Sequence, residues 1–165
     1  FGVVLQDTAL YGESIRNNIS YGKENVPFEK IREAAVRAGA DAFIRRLPQG
    51  YDTVLTQGGA ELSQGERQLL TIARALLSDA PILILDAATS SVASVTQQPI
   101  RRAMDAAASG RTSFLIAHRL YTIRDCDLIL LIEKGKIVEK GSHEELMRLD
   151  GSYAKMYRTQ MGIAG

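Results

Sequence analysis

The sequence predicts an α/β fold in which a parallel sheet lies beside a mainly helical insert. Over 78–165, short continuous apolar runs alternate with helical periodicities, a pattern typical of a parallel sheet with helices on both faces. Over 14–77, apolar residues recur mainly at helical spacing. We therefore predict a helical subdomain over 14–77, and an α/β core made of 1–13 and 78–165.

Each predicted element follows from a local pattern. Apolar runs predict strands at 1–5, 82–85, 113–117, 128–132 and 136–139. Capping residues and helical spacing predict helices at 14–19, 28–38, 41–46, 63–77, 97–108, 119–124, 143–149 and 152–161. Ser14 and Asp41 are the expected caps of two of these helices, and Gly110 and Gly135 mark turns.

Composition excludes several classes of protein. The formal net charge of the 165 residues is +1, and without a basic patch we expect no nucleic-acid partner. Cys126 is the one cysteine, so an internal disulfide is excluded. The longest apolar run, Leu128–Ile132, is far shorter than the ~20 residues that span a bilayer. The chain opens on Phe1–Leu5 without an initiator Met, and we expect it to be a fragment of a longer protein.

The segment around Ser63 predicts an anion site. Ser63 and Gly65 open a helix whose first backbone N–H groups lack partners within the helix, and the helix dipole is positive there. Ser63 and Glu66 also suit an ordinary capping box. The segment by itself therefore fits either an anion site or a plain capped helix.

A second candidate site lies at the end of the strand predicted at 82–85. That strand is followed by Asp86, and a carboxylate there can serve a metal ion, a turn or a helix cap. Ala87 comes next, and alanine can neither accept a proton nor orient a water molecule.

In this order and spacing, the motifs resemble those of the ATP-binding-cassette (ABC) ATPases, from Val4 to about Tyr157. Residues 62–66, Leu-Ser-Gln-Gly-Glu, are similar to the family signature Leu-Ser-Gly-Gly-Gln. The resemblance implies a P-loop NTPase core, and a head-to-tail dimer in which the signature contacts the γ-phosphate of ATP held by a second nucleotide-binding domain. The implied signature residues are Ser63, Gln64, Gly65 and Glu66, of which Gln64 and Glu66 depart from the family pattern.

The resemblance assigns roles to further residues. Asp86 would hold Mg²⁺, and Gln6 would ligate it through its amide oxygen. His118, after an apolar strand, would reach the γ-phosphate and position the attacking water. Ala87 stands where the family has the catalytic Glu, and Ala93 and Gln97 also replace acidic residues.

Two segments resemble those that meet the transmembrane domains of exporters. One is 10–22, and the other is 56–61, just before the signature. An ordinary helix start also explains the first. The exporter-like reading places the protein at the cytoplasmic face of the cell membrane.

The phosphate-binding motif G-x-x-x-x-G-K-[ST] does not occur in the 165 residues. We therefore expect the C-terminal part of an exporter domain, truncated before this motif and impaired in ATP hydrolysis. Two alternatives remain: a noncatalytic module that completes a partner's ATP site, and an ABC ATPase without a transport role.

Overall fold

The structure, a computed structural model, describes residues 1–5, 9–56, 58–87 and 94–162. The chain divides into two compact units, Phe1–Ile116 and Ala117–Gly165. The predicted helical subdomain over 14–77 stays a prediction.

The first unit contains a three-stranded sheet and five helices among its described residues. The strands are β1 (Gly2–Val4), β2 (Ile82–Ala87) and β3 (Thr112–Ala117), in that order across the sheet, with β3 ending at the boundary between the units. β1 and β2 pair in parallel, with Val3 opposite Ile84. The helices are α1 (Ile15–Ile19), α2 (Phe28–Arg37), α3 (Asp41–Ile44), α4 (Gln64–Ser78) and α5 (Ser94–Ala108).

Helix α4 is the centre of this unit. It contacts α1, α2, α5 and β1. Its buried residues include the unbroken run 68–73 together with Ala75 and Leu76, so the middle of the helix is covered on nearly all sides. The helix ends at Asp79, whose left-handed backbone (φ 50°) stops it before Pro81.

The second unit is built on a hairpin and two helices. β4 (Ile129–Glu133) and β5 (Lys136–Gly141) pair antiparallel, and α6 (His143–Leu149) and α7 (Ser152–Met161) follow. The buried side chains of this unit include Leu120, Ile129, Leu146 and Tyr153.

Two features of the second unit differ from the expected pattern. The predicted parallel pairing holds for β1 and β2, whereas β4 and β5 form a hairpin. Lys134 and Gly135, both with positive φ, make the two-residue turn that such a hairpin needs. The helix predicted at 119–124 is a single 3₁₀ turn, Leu120–Thr122.

The third difference lies in the first unit, at α3. Asp41 is the first residue of that helix, and Ala40 occupies the capping position that the sequence assigned to Asp41. The Asp41 side chain instead accepts a hydrogen bond from the Tyr51 hydroxyl at 2.7 Å.

Candidate functional site

The start of α4 presents Ser63 at the surface. Ser63 is exposed, whereas Gly65, two residues later, is buried. The Ser63 Oγ atom accepts from the Glu66 backbone N–H at 3.3 Å, and the Glu66 Oε2 atom accepts from the Ser63 N–H at 2.9 Å. The predicted capping box is therefore present.

The carboxylate of Glu66 also accepts a hydrogen bond from the hydroxyl of Ser63. The Ser63 hydroxyl donates to Glu66 Oε2 at 2.8 Å. Because the same oxygen holds both donors of Ser63, an incoming phosphate would have to displace Glu66 before either donor could reach it. Gln64 lies exposed beside them.

Arg67 fixes the loop that leads into this helix. Its guanidinium donates to the carbonyl oxygens of Leu62 at 2.6 Å and Gly59 at 3.4 Å. Gly59 has φ +63°, and a Cβ there would lie 2.9 Å from the Leu10 Cδ1 atom. The loop therefore needs glycine for its conformation and for its close approach to Leu10.

Asp86 lies at the end of β2 with an unpartnered oxygen. Its Oδ1 atom is buried and has no hydrogen-bond partner among the described residues. A buried polar atom of this kind is costly unless something satisfies it. Carboxylate oxygen is a ligand that Mg²⁺ prefers, so Asp86 fits the predicted cation.

The rest of the predicted metal and catalytic set is less completely described. Gln6 and Ala93 lie outside the described residues. Ala87 is the last residue of β2, and Gln97 belongs to α5. Across the described part of the chain, three or more His, Cys, Asp or Glu side chains never cluster as a metal site.

His118 follows β3 and is exposed. Its carbonyl oxygen accepts from Gln160 Nε2 at 3.0 Å, and Gln160 Oε1 accepts from the Leu120 N–H at 2.9 Å. Gln160 thus holds the backbone on both sides of Arg119 and fixes the loop that carries His118. Sequence reasoning missed this residue, because the contact joins positions 42 residues apart. The approach of His118 to a γ-phosphate stays a prediction.

The two predicted partner-contacting segments lie side by side in the first unit. The Ile15 N–H donates to the Thr53 carbonyl and the Leu55 N–H to the Glu13 carbonyl, both at 3.0 Å. An antiparallel bridge joins Ser14 to Val54. This ladder joins 13–15 to 53–55, which come directly before the second segment, and within that segment the Gly58 N–H donates to the Leu10 carbonyl oxygen at 3.3 Å. Segments 10–22 and 56–61, assigned a common role from separate motifs, therefore approach each other at Leu10 and Gly58.

Exposed aromatic and acidic side chains lie on these two segments, and the exposed Val54 comes two residues before the second. Tyr11, Tyr21 and Val54 are 39%, 55% and 63% exposed. The Thr56 hydroxyl and N–H donate to the Glu61 carboxylate, with the N–H at 2.7 Å. The Thr56 hydroxyl, followed by backbone N–H groups, lowers the pKa of Glu61.

Asn18 organises the first of these segments from inside. Its side chain is buried, and its Nδ2 atom donates to the carbonyl oxygens of Tyr11, Glu13 and Ser14 at 3.0–3.2 Å. Its Oδ1 atom accepts from the Tyr11 N–H at 2.9 Å. The motif in the sequence includes Asn18, but nothing in the pattern shows that its side chain folds inward.

Comparisons with known proteins agree with this fold and these motifs. The profile of the family described as "ABC transporter" matches residues 1–90. An "ATP-dependent lipid A-core flippase" from Desulfotalea psychrophila is 51% identical over 158 residues, which are 96% of this chain and 28% of that protein. An "Uncharacterized ABC transporter ATP-binding protein YfiC" from Bacillus subtilis is 49% identical over 159 residues, 96% of this chain and 26% of that protein.

A solved structure supports the same assignment. The structure of a bacterial Atm1-family ABC exporter with ATP bound matches with a TM-score of 0.87 and 45% identity, covering 96% of this chain and 28% of that chain. This chain belongs to the ABC transporter family. Within the family it is part of an ATP-binding domain of exporter type, which confirms the resemblance seen in the motifs.

The chain matches only part of the length of its relatives. The chain spans 28% and 26% of the length of the two curated proteins above. Within its described residues, each helix is too short or too polar to cross a membrane.

Proposed function

We propose that this chain takes part in ATP-driven export as a component of one nucleotide-binding domain in a head-to-tail dimer. The observation that carries the proposal is the buried Oδ1 atom of Asp86 near the end of β2, which has no hydrogen-bond partner in the described part of the chain. An oxygen in that state is suited to the ATP-bound Mg²⁺ that family membership implies. Ser63 and Gly65, at the start of α4, would complete the ATP site of the second domain.

The residues of this chain would act by binding and positioning. Asp86 would hold Mg²⁺ with Gln6, and Mg²⁺ would neutralise phosphate charge. Ser63 would donate its hydroxyl and N–H to a γ-phosphate once Glu66 releases them. His118 would orient the attacking water.

The Ala87 position makes hydrolysis slow in this proposal. A general base contributes about 10²–10⁴-fold to a rate, and alanine supplies none. We expect Ala87→Glu to speed hydrolysis by about tenfold or more in a chain joined to a phosphate-binding N-terminal segment. The chain by itself should stay near background in a coupled ATPase assay. A measurable parent rate with no gain from Ala87→Glu would mean that another group supplies the base, or that Ala93 is the cause of the slow hydrolysis.

The exporter partners would meet the exposed segments 10–22 and 56–61, at the cytoplasmic face of the membrane. The hydrogen bond from the Gly58 N–H to the Leu10 carbonyl oxygen supports this proposal, because it brings together two motifs that separately suggested membrane-domain contact.

The dimer part of the proposal can be tested with the chain as it stands. An intact exporter nucleotide-binding domain would be titrated with the chain, with and without ATP and Mg²⁺, by sedimentation. We expect association that depends on ATP. Glu66→Gln should strengthen it, because glutamine also completes a capping box and removes a negative charge from beside the phosphate. Equal association without ATP would contradict the proposal.

The second candidate is a noncatalytic module that only completes the partner's site. Ala87 favours it, because its side chain has no acceptor for a proton. ATP-dependent association combined with an ATPase rate at background both before and after Ala87→Glu would select this alternative.

A further inference from the structure

Arg74 connects the signature helix to segment 10–22. It lies in the second half of α4, the helix that begins after Ser63. Its Nε atom donates to the Asn18 carbonyl oxygen at 2.7 Å, its Nη1 to the Ala9 carbonyl at 3.0 Å, and its Nη2 to Asn18 Oδ1 at 3.3 Å. These bonds span 56 and 65 positions of sequence.

Two tyrosines lie beside the same guanidinium. The rings of Tyr11 and Tyr21 stack with centroids 4.3 Å apart and planes 9° from parallel. The Arg74 Cζ atom lies 5.6 Å and 5.3 Å from their centroids. A guanidinium at this range attracts the negative face of an aromatic ring. Arg74 thus contacts the two tyrosine rings near the ends of segment 10–22, and it also binds the backbone at Asn18 and at Ala9, directly before the segment.

The bonds of Arg74 and Asn18 form one network. Asn18 Oδ1 accepts from both the Tyr11 N–H and Arg74, while Asn18 Nδ2 holds the Tyr11 carbonyl. Burial lowers the pKa of the Arg74 guanidinium, and the two tyrosines oppose that shift. Arginine remains charged at any physiological pH, so the network is charge-assisted and partly shielded from water.

We propose that Arg74 is a positioning residue that holds the partner-contacting surface of segment 10–22 to the signature helix, so that a displacement of α4 is transmitted to that surface. The transmission rests on the proposed function of the segment, whereas the attachment of the segment to α4 rests on the contacts above. The planar fork of arginine is essential to it, because lysine offers one point charge and cannot reach several separated acceptors in one plane.

The first test measures amide hydrogen exchange in the 165-residue chain. Arg74→Lys should speed exchange at the Tyr11 N–H by about tenfold. The acceptor of that N–H, Asn18 Oδ1, loses its bond from Arg74, and the segment then opens locally. The near-ultraviolet circular dichroism of the stacked tyrosines should weaken at the same time. The chain has six tyrosines and no tryptophan, so Tyr11→Phe and Tyr21→Phe can assign that signal.

The matched control is Arg67→Lys. Arg67 lies on the same helix and also donates to loop carbonyls, but its acceptors are Leu62 and Gly59. This variant should leave both Tyr11 exchange and the tyrosine signal unchanged. If Arg74→Lys leaves them unchanged, or if Arg67→Lys alters them equally, the proposal is overturned.

The second test addresses transmission in a complete exporter that carries this sequence with Ala87→Glu, the change expected to speed hydrolysis. Arg74→Lys should lower the stimulation of ATPase by transported substrate severalfold, with the KM for ATP little changed. Unaltered stimulation, with faster exchange at Tyr11, would overturn the transmission. A parent exporter without any ATPase would instead overturn the proposed function, and the exchange experiment would still decide the attachment.

Discussion

Helices α4 and α6 begin with the same local structure and differ in what lies behind it. Each begins with a capping box, formed by Ser63 and Glu66 in α4 and by Ser142 and Glu145 in α6. The serine N–H donates to the glutamate at 2.9 Å and 2.8 Å, and the glutamate N–H donates to the serine hydroxyl at 3.3 Å in each.

The difference lies in packing and in the preceding loop. Helix α4 has 15 residues, nine of them buried, and Arg67 ties its start to two loop carbonyls. Helix α6 has seven residues, and Leu146 is the one that is buried. A capping box therefore identifies a helix start but not a site. Helix α4 differs from α6 in being central and extensively packed, so it can hold an exposed serine in place.

The largest expected effect is on the free energy of unfolding, when a buried leucine in each of the two helices is replaced by alanine. Leu70 of α4 is 0% exposed and belongs to the large core of the first unit, whereas Leu146 of α6 is 1% exposed and belongs to a small cluster. We expect Leu70→Ala to cost about 4 kcal/mol and Leu146→Ala about 2–3 kcal/mol, because a small cluster collapses more readily around the cavity.

Denaturant unfolding of both variants, with hydrogen exchange to locate the opened region, would measure this. Leu70→Val is the milder control, should Leu70→Ala fail to fold. An equal cost at the two positions would show that α6 is as firmly packed as α4, and the comparison would fail.

The packing of α4 could be predicted from sequence because several local signals agree there. The serine cap, the apolar spacing and the Asp79-Ala80-Pro81 stop place the helix at 63–77, and the structure has Gln64–Ser78. Helix α6 was predicted equally well, at 143–149, and the structure has His143–Leu149. Short-range capping and periodicity are properties of neighbouring residues, so they are visible in one sequence.

Contacts between distant residues were not predictable in this way. Gln160 holds the His118 loop, and Arg74 binds Asn18, across 42 and 56 positions. Either side chain could equally have been an exposed polar residue on its helix. The pairing of β4 and β5 is a different case, because the two-residue turn at Lys134 and Gly135 is a local signal for a hairpin that was interpreted as a turn alone.

The candidate site was predicted in its parts more than in its arrangement. The exposed serine at the start of α4 and the carboxylate ending β2 were both expected. The engagement of Ser63 by Glu66, and the orphaned oxygen of Asp86, depend on side-chain orientation and burial that no spacing reveals.

A smaller effect distinguishes stability from function at the two boxes. Ser63→Ala and Ser142→Ala should each cost about 1 kcal/mol of unfolding free energy, the usual value for a lost cap. Only Ser63→Ala should also weaken ATP-dependent association with an intact nucleotide-binding domain. Urea unfolding and sedimentation on the two variants would test both points. Equal loss of association in Ser142→Ala would mean that association follows stability rather than the site.

The smallest expected effect is a titration shift at the second box. The Ser142 N–H, followed by the Ser142 hydroxyl, lowers the pKa of Glu145 below its ordinary 4.5. Because the folded pKa is the lower one, the ionised box stabilises the fold above pH 4.5, and this contribution is lost as the pH falls through the folded pKa.

Carboxyl-detected NMR titration would measure this pKa directly. Ser142→Ala should move it back toward 4.5, since that variant removes the hydroxyl and loosens the cap. Thr56→Val offers an independent comparison, because the Thr56 hydroxyl is the main cause of the lowered pKa of Glu61. Each substitution should raise the pKa of its own partner and leave the other unchanged. A Glu145 pKa that does not respond to Ser142→Ala would contradict the part assigned to the Ser142 hydroxyl and leave the Ser142 backbone N–H as the cause of the lowered pKa.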